Sequence, residues 1–290
     1  SIILKVINMN HLTKLVLILV STLALSCNSQ PEVNSEQKSQ ETAPELSPKE
    51  KLKEAYQLFK EGKDEESINL AEEVLAIGRE TENDTLIGKA LTSMCRNAQR
   101  KLDTTRLTEL SEELVKLSAK SGDKSWLMYR AHMNAEMWRL VGNMNKAESF
   151  YDESMSISKE LGSMGMYTID HFNKSFVSTA KGDYKEANSL IKRYYELRKE
   201  NGMKPDDAYG LIALSYLLEQ KKNYKGAHEV AVVTRRLFKE QNLFPEPPDE
   251  KPLIAVENKV RVELKESALA DIASNTDSTT VSDLLKKYLK

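Results

Sequence analysis

Gly182-Asp183-Tyr184-Lys185-Glu186-Ala187 is the clearest copy of a short sequence that recurs every 40 residues along this chain. Gly142-Asn143-Met144-Asn145-Lys146-Ala147 precedes it by 40 residues, and Lys222-Asn223-Tyr224-Lys225-Gly226-Ala227 follows it at the same interval. Weaker copies begin at Gly62 and Leu102. Five copies at one spacing define an internal repeat, which predicts stacked structural units rather than a single closed core.

Each 40-residue unit is predicted to contain two helices joined at the recurring sequence. In the fourth unit the first helix is expected over about residues 165–181 and the second over about 184–200. Apolar residues of the second segment are spaced by three and four, as in a helix with one buried side. Gly122, Gly162 and Gly202 stand 40 apart where second helices would end, a position that favours glycine. Each unit is therefore predicted to be a helical hairpin.

Two columns of small residues run through the repeat. The first column, seven residues before each recurring sequence, is Ala55, Cys95, Ala135, Ser175 and Ser215. The second, five residues into it, is Ser67, Leu107, Ala147, Ala187 and Ala227, small except at Leu107. In these columns the chain resembles the tetratricopeptide repeat family, whose helix hairpins interlock through small residues at these places. The resemblance covers roughly residues 50–242, with units of 40 rather than the common 34 residues. A different helix-hairpin solenoid is the alternative.

The resemblance implies an all-α fold, a right-handed superhelical solenoid of about five TPR-like repeats over residues 49–242. The repeat stops after Asn242, and the prolines at 245, 247, 248 and 252 predict a segment without helix. A long helix is then expected over residues 253–274 and a short one over 281–289. A terminal segment that departs from the repeat is typical of a cap, so residues 243–290 are predicted to be capping helices.

The first 27 residues differ from the rest of the chain. A mostly apolar stretch of 11 residues, Leu15 to Leu25, follows Lys14 and precedes Ser26 and Cys27. This arrangement is typical of a secretory signal and is short for a membrane-spanning helix, which needs about 20 apolar residues. Leu23-Ala24-Leu25-Ser26-Cys27 resembles the lipobox of bacterial lipoproteins, in which the Cys becomes the lipidated first residue. Residues 1–27 are thus predicted to be a lipoprotein signal peptide that leaves Cys27 lipidated. An ordinary signal peptide and an uncleaved anchor are the alternatives.

Residues 28–48 are predicted to be a disordered tether. They are mostly Ser, Gln, Glu, Asn and Pro, with only Val33, Ala43 and Leu46 apolar, and such a composition cannot bury enough surface to fold. Some surface-exposed lipoproteins carry an acidic cluster after the lipidated Cys, whereas here Glu32 is the only acid in the first six residues. The expected location is therefore the bacterial cell envelope, lipid-anchored to the outer membrane and facing the periplasm.

Composition and motifs argue against several classes of function. The chain of 290 residues has a formal net charge of −2, which gives no strong field for nucleic acid. It contains no Gly-x-Ser-x-Gly, no phosphate-binding glycine loop and no Cys-x-x-Cys, so no enzyme activity is predicted. His228-Glu229 begins like a zinc-protease motif, but Val232 stands where the second His should be, so no metal or cofactor is expected. Cys95 is predicted to be a buried structural thiol.

A binding surface along the first helices is the remaining candidate site. In tetratricopeptide arrays the first helices line a concave groove, and the resemblance implies one here, one residue after the first small column and one turn to either side. This groove would be basic at one end and aromatic along its middle and far end, which suits an extended peptide or a partner helix. The predicted partner-binding residues are Lys89, Arg96, Arg100, Tyr129, His132, Arg139, Phe172, Phe176, Tyr209 and Tyr216.

Arg96, Arg100 and Arg139 are expected to present three guanidinium groups on one wall of this groove, with Glu136 the only acid among them. The alternative is that the aromatic residues pack between neighbouring helices and the arginines only contact solvent. The predicted function is a lipid-anchored envelope scaffold or adaptor that binds a protein or peptide partner. A module that senses a peptide or small ligand and signals to a membrane partner is the second hypothesis.

Overall fold

The computed structural model describes residues 46–204, 208–242, 245 and 247–289, and these residues form helices without any strand. The predicted signal peptide, Cys27 and residues 28–45 of the predicted tether lie outside the described residues. The helices are α1 (Pro48–Lys60), α2 (Asp64–Glu80), α3 (Asp84–Arg100), α4 (Thr104–Ser121), α5 (Ser125–Leu140), α6 (Met144–Glu160), α7 (Met164–Ala180), α8 (Tyr184–Glu200), α9 (Tyr209–Gln220), α10 (Tyr224–Glu240), α11 (Pro247–Glu263), α12 (Glu266–Ser274) and α13 (Val281–Tyr288).

Five helical hairpins, α1–α2 to α9–α10, form units 1 to 5 of the repeat, as the sequence predicted. In unit 4 the helix bounds differ from the predicted ones by at most one residue. Ser47 and Pro48, placed in the tether by composition, instead begin α1, because Ser47 forms a capping box with Glu50. None of the described helices is long and apolar enough to cross a membrane.

Each turn between helices of the array contains one residue in the left-handed region, and these residues stand 20 apart. Glycine has no Cβ and adopts this conformation at little cost, whereas other residues pay roughly 1–2 kcal/mol. Leu102 is one of the exceptions, with φ 54°. The left-handed positions are Gly62, Glu82, Leu102, Gly122, Gly142, Gly162, Gly182, Gly202, Lys222 and Asn242. The fixed spacing explains the 40-residue period, since two helix-plus-turn segments of 20 residues make one unit.

The residue after the left-handed position caps the second helix in units 2 to 5. The Asp183 carboxylate accepts a hydrogen bond of 2.9 Å from the backbone N–H of Glu186. Asp103, Asn143 and Asn223 cap α4, α6 and α10 in the same way, while Lys63 of unit 1 makes no side-chain cap. In units 2 to 5 the recurring sequence therefore begins with a left-handed residue at the end of the first helix, followed by an Asp or Asn that caps the second.

The two small columns are the buried seams of the hairpins. Every residue of both columns is at most 1% exposed, including Cys95 and the larger Leu107. Small side chains at these sites let the two helices of a unit, and helices of successive units, approach closely. This confirms the burial that the sequence predicted for Cys95, and burial raises the pKa of its thiol to about 12, so the thiolate is disfavoured.

The first helices pack along one side of the array. Each of them contacts the first helix of the next unit, from α1–α3 to α7–α9, and α11 continues the series by packing on α9. Among the described residues no two second helices make contacts of similar extent. The helices on the first-helix side are therefore more closely spaced, and this side is the inner, concave one.

The helices of the C-terminal cap have different bounds from those that the sequence predicted. Helix α11 begins at Pro247 and contains Pro252, because prolines in the first turn lose no intrahelical hydrogen bond and one proline deeper is tolerated. The predicted continuous helix over 253–274 is instead broken at Lys265, whose ψ of 148° is extended. Leu253, Val256 and Val260 are buried, but no residue of α12 is fully buried.

Candidate functional site

Two cavities lie on the inner side of units 1 to 4 and together form what we call the inner groove. The first, of about 450 Å³, is lined by α1, α3 and α5 and by the turn before α5. The second, of about 300 Å³, is lined by α1, α3, α5 and α7. Tyr56 and Arg96 line both cavities and so stand at their junction. The groove is a property of the first helices, which the small columns bring together.

Arg96 carries a positive charge that no carboxylate neutralises within the described part of the chain. Its guanidinium carbon lies 5.3 Å from the centre of the Tyr56 ring, and Lys60 Nζ lies 5.2 Å from that same ring. Tyr56 is 42% exposed, so this arrangement faces the groove rather than the core. Arg96 is held by a cation–π contact and keeps its hydrogen-bonding capacity for a ligand.

Lys89 extends the basic surface of Arg96 along α3. The two residues are seven apart, which is about 10.5 Å along a helix and nearly two turns, so both point to the same side. Lys89 is exposed, and it forms no ion pair with any described residue. Both line the first cavity, with Thr92 between them. This edge of the groove therefore attracts negative charge over a length of about 10 Å.

The apolar wall of the first cavity is aromatic. Trp126 and Tyr129 lie on α5 with their ring centres 6.2 Å apart. A Cβ at position 88 would come within 2.5 Å of the Trp126 ring, so Gly88 is what lets this ring lie against α3. Trp126 is buried and Tyr129 is half-buried. Together with Leu52 and Tyr56 they form a pocket for a large apolar side chain.

Arg100 does not present a free charge, which corrects the sequence-based expectation. Its Nη1 donates to Asp64 Oδ1 at 3.0 Å and also to the backbone carbonyl of Phe59. Its guanidinium carbon lies 3.5 Å from the centre of the Phe59 ring. Arg100 therefore ties α3 to the turn between α1 and α2, although it still lines the second cavity.

Arg139 is likewise used inside the protein. Its Nη2 donates to Glu136 Oε2 at 2.7 Å, the Tyr151 hydroxyl donates to the same carboxylate, and the guanidinium lies against Phe176. Arg139 is 9% exposed and Glu136 6%. Burial alone would raise the pKa of Glu136, but Arg139 beside it lowers that pKa, so the pair is ionised. The expected wall of three free guanidinium groups is wrong, because two of the three have internal carboxylate partners.

His132 belongs to a second buried polar network between units 3 and 4. Its Nδ1 lies 2.7 Å from Asp170 Oδ1, and the Ser154 hydroxyl donates to Asp170 Oδ2 at 2.6 Å. Burial would lower the pKa of His132, but the Asp170 carboxylate outweighs it and the pKa is raised; Glu136 raises it further, while Arg96 opposes. His132 lines the second cavity, yet its role is to fasten α5 to α7.

This network predicts a pH-dependent stability. Because the folded-state pKa of His132 lies above its unfolded value of about 6.5, its contribution is complete below pH 6.5 and is lost as the pH rises through the folded pKa. We therefore expect the free energy of unfolding, measured by urea denaturation, to fall between pH 6 and pH 9 more steeply for the parent protein than for His132→Gln. Equal slopes for the two proteins would contradict the ion pair with Asp170.

The aromatic residues of units 4 and 5 mostly pack between helices. Phe172 and Phe176 are buried, and the Phe172 ring centre lies 5.6 Å from that of Tyr194. Tyr216 lies against Phe176 at 5.9 Å and Tyr209 against Phe238 at 5.4 Å, both half-buried. The prediction that the groove is aromatic along its middle and far end is therefore wrong. Among the described residues, the Tyr, Phe and Trp rings that line the two inner cavities are instead those of Tyr56, Phe59, Trp126 and Tyr129, in the same region as the free cations.

Asn173 is a site residue that sequence reasoning missed. It lies on α7, is 5% exposed and lines the second cavity together with Arg96. Its side-chain oxygen is buried and has no hydrogen-bond partner in the described structure. A buried polar atom without a partner is costly, and a ligand N–H that reaches it would remove that cost. No feature of the sequence distinguishes Asn173 from other helix residues, whereas Gly88 inside a helix indicates a close packing contact without identifying Trp126 as the partner.

Metal chemistry finds no support in the geometry of the described residues. Among them, no three His, Cys, Asp or Glu side chains come close enough together to hold a metal ion. His228, singled out by its partial zinc-protease motif, lies 3.2 Å from the Leu269 carbonyl through Nε2 and helps attach α12. What the inner groove offers is a cationic, aromatic and amide-bearing surface suited to binding.

No protein-family model and no curated protein matches this chain. Among the solved structures similar to it are two of a Podosopora anserina kinesin light chain-like protein with nearly identical TPR-like repeats, one of them a variant with a single substitution. The variant structure is 15% identical, covers 68% of this chain and 99% of its own, and has a TM-score of 0.49. The other is 15% identical, covers 75% of this chain and 99% of its own, and has a TM-score of 0.46.

Proposed function

We propose that this protein is a lipid-anchored adaptor of the bacterial cell envelope whose inner groove captures an extended acidic segment of a partner protein. The proposal rests on the position of Arg96. It stands at the junction of two cavities, on the inner side of the array, and no described carboxylate pairs with it. An unpaired guanidinium at the centre of a groove is suited to a carboxylate, which it can bind through two parallel hydrogen bonds.

The other features of the inner groove define the rest of the segment. A carboxylate on Arg96 would leave Lys89 for a second acidic group about 10 Å away, roughly one three-residue turn of an extended, polyproline II-like chain. A large apolar side chain would enter the aromatic pocket at Trp126. A backbone N–H of the segment would donate to the free Asn173 oxygen. An extended acidic peptide with one apolar anchor satisfies all of these groups at once.

The anchor is proposed from the first 27 residues. The apolar stretch, its basic flank and the lipobox-like residues before Cys27 support export and lipidation. A lipidated Cys27 followed by the polar residues 28–45 would hold the helical array near a membrane while leaving the groove accessible. The proposed location is the periplasmic face of the outer membrane, where one chain could bring a partner to the membrane.

Site-specific photo-crosslinking tests which face binds the partner. A photoreactive amino acid placed at Lys89, on the inner groove, should give a crosslinked adduct with a partner in bacterial envelope extract. The same amino acid at Lys159, exposed on α6, is the matched control and should give none. Adducts from position 159 without any from position 89 would contradict binding in the inner groove.

Metabolic labelling tests the anchor independently. The parent protein should incorporate labelled palmitate and fractionate with membranes, whereas Cys27→Ala should lose the label. Equal labelling of the two proteins would refute lipidation at Cys27, and it would leave the groove proposal to be judged by the crosslinking result.

A further inference from the structure

A third cavity, of about 430 Å³, lies between the second helices of units 2 and 3, with the first helix α5 beneath it. Helices α4 and α6 form its two walls. We call it the outer groove, because the second helices form the side opposite the inner groove. Its lining includes Glu112, Val115, Arg130, Trp138, Lys146 and Phe150.

The outer groove is where unit 3 departs from the repeat. Trp138 occupies a position that holds smaller, buried residues in the other units, and Phe150 replaces aliphatic residues. Both aromatic side chains remain half-buried rather than buried. The residues equivalent to Trp138 are Leu58, Ala98, Ser178 and Leu218, and those equivalent to Phe150 are Leu70, Leu110, Leu190 and Val230. Local departures of this kind mark functional sites, because packing alone is satisfied by the smaller residues used elsewhere.

Two donors of the outer groove, on Lys146 and Arg130, are available to a ligand. Lys146 Nζ lies 4.0 Å from the centre of a Trp138 ring and pairs with no carboxylate of the described residues. Arg130 pairs with Glu153 and lies 5.5 Å from the Phe150 ring centre, but its buried Nε has no acceptor among the residues that the structure describes. A ligand that fits here must therefore bring an acceptor together with apolar surface.

We propose that the outer groove is a second binding site, which takes an extended protein segment bearing an acidic and a large apolar side chain two residues apart. Side chains at i and i+2 of an extended chain point to one face, about 6.6 Å apart. The apolar side chain lies between Trp138 and Phe150, and the carboxylate reaches Lys146. Glu112 on the lining repels dense negative charge, which favours a single carboxylate over a phosphate-rich ligand.

The two grooves lie on opposite faces of the same units, so one chain can hold two partners at the same time. In the described part of the chain, the inner groove has two cations that lack a carboxylate partner, Lys89 and Arg96. The outer groove has one such cation, Lys146. The outer site therefore depends more on its aromatic rings than on charge. This inference does not require the inner groove to bind anything, so the two proposals can fail separately.

The chain contains two tryptophans, one in each groove, and this allows a site-specific test. The full chain with Trp126→Phe retains Trp138 as its fluorescent reporter. Addition of the peptide acetyl-Gly-Glu-Gly-Leu-Gly-amide should change Trp138 emission in a saturable way. Two altered peptides, one with Gln in place of Glu and one with Ala in place of Leu, should each need at least a fivefold higher concentration for half-saturation. Lys146→Gln should cause a similar loss, whereas Lys225→Gln, an exposed lysine on α10, should not.

A second variant removes the site while keeping the repeat. Trp138→Ala with Phe150→Leu gives unit 3 the residues Ala98 and Leu110 of unit 2, so the helical circular dichroism should be preserved. Fluorescence anisotropy of the labelled peptide, measured with and without these two changes in the Arg96→Glu background so that the inner groove does not contribute, should then show at least tenfold weaker binding. Equal response to all three peptides, or unchanged binding by this folded variant, would overturn the proposal. Tighter binding of free indole-3-propionate than of the peptide would also overturn it, in favour of a small-molecule site.

Discussion

Glu136→Ala is expected to lower the free energy of unfolding by about 3–5 kcal/mol, a large effect for a single substitution. Glu136 and Arg139 are both buried, and the carboxylate also accepts the hydrogen bond of the Tyr151 hydroxyl. Removing it leaves a buried guanidinium without this counter-charge and a buried hydroxyl without this acceptor. Breaking one side of such a pair therefore costs more than the pair contributes when it is intact.

A double substitution distinguishes this cause from a loss of packing. Glu136→Met with Arg139→Met replaces both charges by apolar side chains of similar length, and it should recover most of the stability lost in Glu136→Ala. Urea denaturation at pH 7, with circular dichroism as the signal, measures all three proteins. A loss below about 1 kcal/mol in Glu136→Ala would show that the ion pair is not buried as described.

The repeat could be predicted from the sequence because its determinants are local. A left-handed residue followed by Asp or Asn ends one helix and caps the next, and each of these effects depends on neighbouring residues only. The recurring sequence at Gly182 therefore located the turns, and the small columns located the buried seams. Residue type alone does not predict every left-handed position, since Leu102 and Lys222 adopt this conformation without being glycine.

The cap was predicted less well, because its helix boundary depends on more than proline count. The prolines before residue 253 predict a segment without helix. Pro247, however, lies in the first turn of α11, where a missing N–H removes no intrahelical hydrogen bond. The break at Lys265 lies in a sequence with no Gly or Pro, and no local signal marks it. Tertiary packing of α11 on α9 and α10 decides where this helix lies.

The side of each helix that faces the groove followed from the repeat, but the pairing of its charges did not. Lys89, Arg96 and Tyr129 line the inner groove, and their role in binding a partner stays a prediction. Arg100 pairs with Asp64, which is 36 residues away in sequence. Such a contact depends on how two units stack, and one unit's sequence pattern does not contain it. The burial of Phe172 against Tyr194 is unpredictable for the same reason.

Arg96→Glu is expected to abolish capture of the partner while leaving the fold intact. Arg96 makes no side-chain hydrogen bond or ion pair with the described residues, and its cation–π contact is with the exposed Tyr56 ring, so the helical repeat should be unaffected. The new carboxylate would stand at the junction of both cavities and repel an acidic segment. Truncating one partner of a close charge pair typically costs about 2–5 kcal/mol of binding, and reversing the charge adds repulsion. Arg106→Glu, on α4 of the same unit, is the matched control.

Retention of a partner from bacterial envelope extract by the immobilised full chain, measured at two salt concentrations, is the most direct test of capture in the inner groove. The parent protein and Arg106→Glu should retain the same partner, and retention should weaken at the higher salt concentration because a carboxylate–guanidinium contact is screened. Arg96→Glu, with an unchanged circular dichroism spectrum, should retain none. Undiminished retention by folded Arg96→Glu would contradict capture in the inner groove.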